Sequence, residues 1–201
     1  SVAFVKVNDP VINKKLRKKK YKQKIIRIDT SNVPILFKKI SNKYFLSFGN
    51  RENLIFVLKI CQFLKLKKEK VIKIINKFKG LKYRQQIVFN NSNLTIINDS
   101  KSTSLASSEN LLKNFKSVYW ILCGIPKKGD KFNLTKSQSK DFKSYIFGNY
   151  YMQFRKNFKN KLKTKKFNNL KHTLNQIFLE IKNNKRKKHT ILFSPAGASF
   201  D

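Results

Sequence analysis

A chain of 201 residues with 40% hydrophobic and 13% aromatic side chains carries enough apolar surface to offset the entropy of ordering. This excludes a long disordered tail and leaves one sizeable domain or two small ones. Lysine and arginine number 46 against 10 acidic residues, a formal charge of +36 that brings polyanions to the front as partners. The longest apolar runs, such as Leu54 to Leu58, fall far short of the roughly 20 residues of a membrane-spanning helix.

Val2 to Val7 is β-branched and apolar and predicts a strand, which Asn8-Asp9-Pro10 stops. Ile25 to Ile28, Ile35 to Phe37 and Tyr44 to Phe48 read as further small strands. From Glu52 to Leu64 the apolar residues recur at the three and four spacing of one helix face, and a second helix is expected from Lys67 to Phe78, with Gly80 as its stop. Gln85 to Phe89 and Leu94 to Ile97, joined by a polar loop, predict a hairpin. The order then becomes helix (Ser107 to Asn114), strand (Ser117 to Cys123), helix (about Leu134 to Phe142) and strand (Tyr145 to Phe147). Two helices (Tyr150 to Phe158, Leu170 to Asn184) and a strand (Thr190 to Phe193) complete it. Such alternation predicts an α/β fold with parallel strands and crossover helices, whose ligands bind at the carboxyl ends of the strands.

Cys61 and Cys123 have no ligand-like spacing and His172 and His189 no ligand-like neighbours, so the thiols read as buried or inert rather than as a metal site. Arginine occurs at only six positions, so the charge is nearly all lysine, dispersed among Asn, Ile and Phe, which share A- and T-rich codons. That pattern reads as compositional drift on solvated faces more than as phosphate recognition, which favours clustered arginine. Three dense runs stand out, Lys14 to Lys20, Lys156 to Lys166 and Lys182 to Lys188, read as solvated loops and helix faces with weak, non-specific affinity for nucleic acid.

Three polar, small-residue loops follow the strands ending near Ile97, Cys123 and Phe193. They are Asn98 to Ser104 (Asn-Asp-Ser-Lys-Ser-Thr-Ser), Gly124 to Asp130 (Gly-Ile-Pro-Lys-Lys-Gly-Asp) and Ser194 to Asp201 (Ser-Pro-Ala-Gly-Ala-Ser-Phe-Asp). The first sets a carboxylate, a lysine and hydroxyls before a helix, where N–H groups favour an anion. The second adds Lys127 and the third Ser199. Meeting at one sheet edge, they describe a pocket for a carboxylate or phosphate.

These three segments, with Phe78 to Arg84 and Gly49 to Leu54 upstream, resemble motifs of the Mur ligases. Asn98 to Thr103 is similar to the family's Asn-Asp-Ser-Lys-Ala-Thr segment, and Trp120 to Gly129 to its Leu-Gly-Gly-x-x-Lys-Gly loop. Ser194 to Asp201 is similar to its Ser-Pro-Ala-x-Ala-Ser-Phe-Asp run. Phe78 to Arg84 resembles the Phe-x-Gly-Leu-x-His-Arg linker between central and C-terminal domains, and Gly49 to Leu54 the His-Asn-x-x-Asn segment that opens a helix.

The resemblance, best to the branch that adds D-glutamate, implies the tail of an α/β ATPase central domain over 1–81. A Rossmann-like, mostly parallel C-terminal domain, truncated at its end, would follow over 82–201. It implies an ATP-dependent ligase of peptidoglycan precursor synthesis, cytoplasmic and monomeric, that joins D-glutamate to UDP-N-acetylmuramoyl-L-alanine. The substrate carboxylate takes the γ-phosphoryl group of ATP to become an acyl phosphate, which the D-glutamate amine attacks. Carried over by position, Asn53, Tyr83, Arg84 and Asp99 meet ATP. Lys101, Thr103, Lys127, Ser199 and the backbone at Phe200 hold D-glutamate, with Lys101 at the reacting centre. The Mg²⁺ ligands, the phosphate-binding loop and the uridine-binding domain are expected before Ser1, since the chain starts without Met and without a signal-peptide pattern and reads as beginning inside a longer protein. Alone it is expected to be inactive. Tyr83 and Gly49 stand where the family has His, Cys123 where it has Gly, and Ser104 where Asn is frequent. An inactive relative and a basic nucleic-acid-binding protein are the competing readings.

Overall fold

The computed structural model of the protein describes residues 1–31, 35–46, 48–184 and 188–199, which fall into two units, 1–79 and 80–201. In the first, β1 (Val2–Lys6) and β2 (Lys24–Ile28) lie parallel, Val2 opposite Lys24, joined through α1 (Pro10–Lys18). Asn8-Asp9-Pro10 ends the strand and also starts that helix, which the sequence reading did not include; its apolar face is only Ile12 and Leu16, half-buried, and α1 buries no residue. Asp9 Oδ1 accepts from the N–H groups of Val11 and Ile12 at 2.9 Å, and Pro10 sits in the first turn, where a missing N–H is harmless.

Ile35–Lys39 and Lys43–Leu46, expected as strands, are short 3₁₀ helices. Leu36, Phe37, Ile40 and Phe45 turn onto the pair α2 (Phe48–Phe63) and α3 (Lys68–Lys77), whose contact is Leu54, Leu58, Val71 and Ile75. Asn42 Nδ2 donates to the carbonyls of Ile75 and Phe78 at 2.8 and 2.7 Å, so side-chain hydrogen bonds and tight turns replace strand pairing here.

The second unit runs β3 (Gln86–Asn90), β4 (Leu94–Asn98), α4 (Leu105–Leu112), β5 (Val118–Leu122), β6 (Ile125–Pro126), α5 (Lys136–Ser139) and β7 (Phe142–Phe147). It continues with α6 (Tyr151–Phe158), β8 (Lys163–Phe167), α7 (Leu170–Lys182), β9 (His189–Phe193) and β10 (Gly197–Ala198). Six strands form one sheet in the order β3-β4-β9-β5-β7-β8, antiparallel only at the β3–β4 hairpin. All five residues of β5 are buried. Val118, Trp120 and Leu122 join the core that holds Leu105 and Leu112 of α4 and Phe154 and Phe158 of α6, while Tyr119 and Ile121 join the one that holds Ile177 of α7. A strand covered by helices on both faces reads as the continuous apolar run seen in the sequence.

Two expectations fail in this unit. The helix expected over Leu134 to Phe142 is the single turn α5, capped by the reciprocal Thr135–Gln138 box, because Phe142 is taken by β7 opposite Val118. The run Lys156 to Lys166 conceals β8, an edge strand whose exposed lysines guard its unpaired side. Lys165 and Lys143 close on Glu180 of α7 at 2.7 and 2.6 Å, pinning this edge to the helix.

β6 and β10 pair antiparallel outside the main sheet, Gly197 opposite Pro126 and Ala198 opposite Ile125. Their approach needs glycine on both sides. A Cβ on Gly124 would lie 2.5 Å from the Ala198 carbonyl oxygen, and one on Gly197 would lie 2.6 Å from that of Cys123. Gly124 also has φ +79°, whereas Gly129, at φ +77°, has open space around it.

Gly124→Ala is therefore expected to cost about 2–4 kcal/mol, backbone strain and a steric clash together, and Gly129→Ala only about 1 kcal/mol of strain. Urea unfolding of the two variants checks the difference, and equal midpoints would refute the close approach. Burial pushes the Glu180 carboxyl up, but hydrogen bonds from Lys143 and Lys165 outweigh it and hold the group down to about 2, against an ordinary 4.5. The stabilisation is complete above about pH 4.5 and is lost as pH falls through about 2. With Lys143 and Lys165 side chains 41% and 52% exposed, Glu180→Gln should cost about 1 kcal/mol at pH 7 and flatten the acid limb of a stability–pH curve.

Candidate active site

β4, β9 and β5 are neighbours in the sheet and parallel, so the three loops singled out in the sequence leave the same edge. Asp99, directly after β4, donates its N–H to the Phe193 carbonyl at 2.7 Å. Its carboxylate turns inward, 7% exposed. Oδ1 accepts from the Gln85 N–H at 3.1 Å and Oδ2 from the Ser194 hydroxyl at 2.9 Å. Burial raises the carboxyl's pKa, while those two hydrogen bonds and the nearby Arg84 charge oppose the rise.

Behind Asp99 lies a chain of hydroxyls. Ser194 Oγ is 2.7 Å from Ser108 Oγ, which is 2.9 Å from Ser102 Oγ, itself 2.5 Å from Ser107 Oγ. Ser104 caps α4 through the Ser107 N–H. Backbone bonds complete the join. The Ala196 N–H donates to the Ser102 carbonyl at 3.1 Å, the Cys123 N–H to that of Pro195 at 3.3 Å, and the Trp120 indole N–H to that of Ser194 at 2.8 Å. Ala196 takes a left-handed φ of +57°, a strained conformation for a residue with a Cβ.

The Lys127 loop is anchored on its far side. Asp130 accepts from the Leu105 N–H at the start of α4, and Glu109 Oε1 accepts from the Asn133 N–H at 2.6 Å. Phe132 and Leu134 are buried, Phe132 against the mutually touching rings of Trp120 and Phe158. Burial raises the Glu109 pKa against its bonds to Asn133. The turn before β3 is drawn in as well. Tyr83 and Gln85 have left-handed φ of +64° and +50°, the Tyr83 carbonyl accepts from the Lys101 N–H at 3.1 Å, and the Tyr83 N–H donates to Gln86 Oε1 at 3.0 Å.

Of the residues proposed from the sequence, Tyr83, Arg84, Asp99, Lys101, Thr103, Lys127 and Ser199 thus share the carboxyl edge of one sheet. All but Asp99 are exposed, with side chains available to a ligand. Asn53 is exposed on α2, in the other unit, and Phe200 lies outside the described residues. The sequence reading did not include Gln85, Ser102, Ser108 or Ser194. The recurring serines at 102, 104, 107 and 108 were the available signal, but serine before a helix reads first as a cap. Cys61 and Cys123 are half-buried thiols, and no group of three or more His, Cys, Asp and Glu among the described residues is placed to hold a metal ion. No helix among them is long and apolar enough to cross a membrane.

No protein-family model matches the chain. Curated relatives do. A UDP-N-acetylmuramoylalanine--D-glutamate ligase of the Wolbachia of Brugia malayi is 34% identical over 153 residues, 76% of this chain and 30% of the relative. The enzyme of the same name from Francisella tularensis is 36% identical over 156 residues, 76% and 36% of the two chains, and that of Rickettsia prowazekii 26% identical over 160, 80% and 36%. The chain spans about a third of the length of these relatives. Among solved structures, the MurF ligase of Thermotoga maritima in complex with ADP covers 98% of this chain and 50% of its own at TM-score 0.59 and 11% identity. The UDP-N-acetylmuramate-alanine ligase MurC of the same organism covers 76% and 35% at TM-score 0.53 and 18% identity, a likeness of fold. Related in sequence to D-glutamate ligases over three-quarters of its length and folded like Mur ligases of known structure, the chain belongs to the Mur ligase family.

Proposed function

We propose that the protein to which this chain belongs is an ATP-dependent ligase that adds D-glutamate to UDP-N-acetylmuramoyl-L-alanine in peptidoglycan precursor synthesis. Residues 1–81 would be the end of its ATP-binding domain and 82–201 most of its amino-acid-binding domain. The observation that carries this reading is the tying of three loops into one edge, by Asp99–Ser194 and by the Gly124–Gly197 approach, with Lys101 and Lys127 exposed on it. The reading places the enzyme in the cytoplasm as a monomer, and reduced thiols at Cys61 and Cys123 suit a reducing compartment.

D-Glutamate presents two carboxylates and an amine. The ammonium groups of Lys101 and Lys127, with hydroxyls of Thr103 and Ser199, can fix both carboxylates through charge-assisted hydrogen bonds, with the Phe200 backbone as a further donor. The amine is then left unengaged and aimed at its electrophile, and holding it there lowers the entropic part of the barrier. By its match to the family motif Lys101 is assigned to the reacting centre, where an ammonium would neutralise charge developing at the carboxyl group.

The nucleotide fits the same edge. Tyr83 offers a half-exposed ring and Arg84 an exposed guanidinium, on a backbone held by the Gln85–Asp99 and Lys101–Tyr83 bonds. Stacking on adenine and bidentate contact with phosphate suit these groups. With both carboxylate oxygens engaged, Asp99 serves the nucleotide by holding the Arg84 turn. When bound, ATP with Mg²⁺ supplies the phosphoryl group that turns the substrate carboxyl into an acyl donor; we assign the Mg²⁺ ligands to parts of the protein outside this chain.

In the full-length ligase, Lys101→Ala and Lys127→Ala should each lower kcat/KM for D-glutamate at least tenfold, about 1.4 kcal/mol of transition-state stabilisation. Arg84→Ala should act mainly on the KM for ATP. Steady-state kinetics with each substrate varied in turn checks the split, and unchanged constants in both lysine variants would reject the site.

A further inference from the structure

Beside the Lys127 loop lies a cleft of about 760 Å³ between residues 126–133 and the end of α6. Six lysines line it, Lys127, Lys128 and Lys131 from the loop and Lys156, Lys159 and Lys161 from α6 and the turn after it. The one carboxylate of its lining, Asp130, accepts from the Leu105 N–H and so is partly spent on the start of α4. Two smaller clefts, of about 450 and 480 Å³, each set three lysines against one carboxylate, and one of about 240 Å³ sets three against none, so this cleft stands out by the six lysines it gathers around one concavity.

The backbone is bent to make this wall. Lys159 and Asn160 both adopt left-handed φ, +46° and +61°, two successive strained residues that reverse the chain after α6. Beyond them the Lys161 ammonium donates to the Phe132 carbonyl at 3.2 Å and lies 5.9 Å from the Phe132 ring centre, which binds the turn to the loop across the cleft. Lysines in the last turn of a helix complement its dipole, which accounts for Lys156 but not for the three that face it from the loop. The ion pairs of the described residues, Lys6–Glu52 and the two on Glu180, lie elsewhere, so within the lining only the partly engaged Asp130 opposes the mutual repulsion. A concave wall of ammonium groups with no arginine fork suits a flexible run of phosphates, which point charges can follow without fixed geometry. The neutral amides of Gln153 and Asn157 complete the lining.

We propose that this cleft is a second anion site that binds a linear oligophosphate of about three phosphates, either free or as the tail of a nucleotide. The volume falls within the range of small-ligand pockets. The cleft shares Lys127 with the proposed amino-acid site, but the test reads Lys156 and Lys159, which the ligase reading does not use.

The test is isothermal titration of the 201-residue chain with inorganic tripolyphosphate at 150 mM salt. One-to-one binding is expected, weakened at least tenfold by Lys156→Gln with Lys159→Gln and changed less than twofold by Lys15→Gln with Lys18→Gln on α1, which removes the same charge. Equal losses in the two double variants, no loss in the first, or no measurable binding would each overturn the proposal. A parallel titration with ATP separates the sources. If the part of its binding that depends on Lys156 and Lys159 matches tripolyphosphate, the phosphate chain alone is read; if it is tighter, the nucleotide is the ligand. Either supports the site, whereas displacement of tripolyphosphate by a single-stranded RNA of far higher affinity would overturn the small-ligand assignment.

Discussion

A carboxylate buried at the carboxyl end of β4 has to be satisfied, and the way Asp99 is satisfied organises the whole edge. Its oxygens only accept, so Ser194 spends its single proton on Asp99 and Ser108 must in turn donate to Ser194. The polarity of the hydroxyl chain is therefore fixed from its buried end. At the other end Ser107 has a second acceptor, the Ser104 carbonyl at 2.8 Å, so the choice of proton position lies where the chain reaches the surface. An apolar residue at 99 would leave the Gln85 N–H and the Ser194 hydroxyl without their partner and release both the turn that carries Arg84 and the loop that carries Ser199.

The second constraint is steric and belongs to the other pair of loops. Hydrogen bonds draw residues 123–126 and 195–198 together, but only because Gly124 and Gly197 remove the two Cβ atoms that would collide. Cys123 standing beside Gly124 is thus a tolerable departure from the family pattern, since the position that needs a glycine still has one. The close approach sets the spacing between the Lys127 loop and the loop after β9, and with it the distance over which a small dianion can bridge.

Legibility in the sequence followed the strength of the physical signal. The apolar run Val118 to Leu122 announced a strand buried on both faces, and the spacing of Leu54, Ile55 and Leu58 announced α2. The three loops were legible because small, polar and charged residues stood just where apolar strands ended. α1 and β8 were not, since one buries nothing and the other is an edge strand whose side chains are mostly lysine. Ile35 to Phe37 shows the opposite error: Leu36 and Phe37 serve packing on a helix pair rather than pairing in a sheet, and Ile35 is left exposed. Within the site, the exposed groups proposed to bind ligand could be named from motifs, while the serines behind them could not, because their roles depend on contacts up to 95 positions apart in the chain.

The charge of +36 is accommodated in two different ways, and the difference is informative. Along β8 and α1 the lysines are spread over solvated faces, where water and salt screen them, and at the sheet edge a single Glu180 compensates two of them. In the cleft beside α6 the chain instead concentrates six around a concavity and adopts strained backbone to do so. Compositional drift explains the first arrangement at no structural cost. It does not explain the second, in which like charges are gathered against their mutual repulsion on a wall that shares Lys127 with the proposed amino-acid site. A bound anion would relieve that repulsion and, through Lys127, would alter the charge available to D-glutamate.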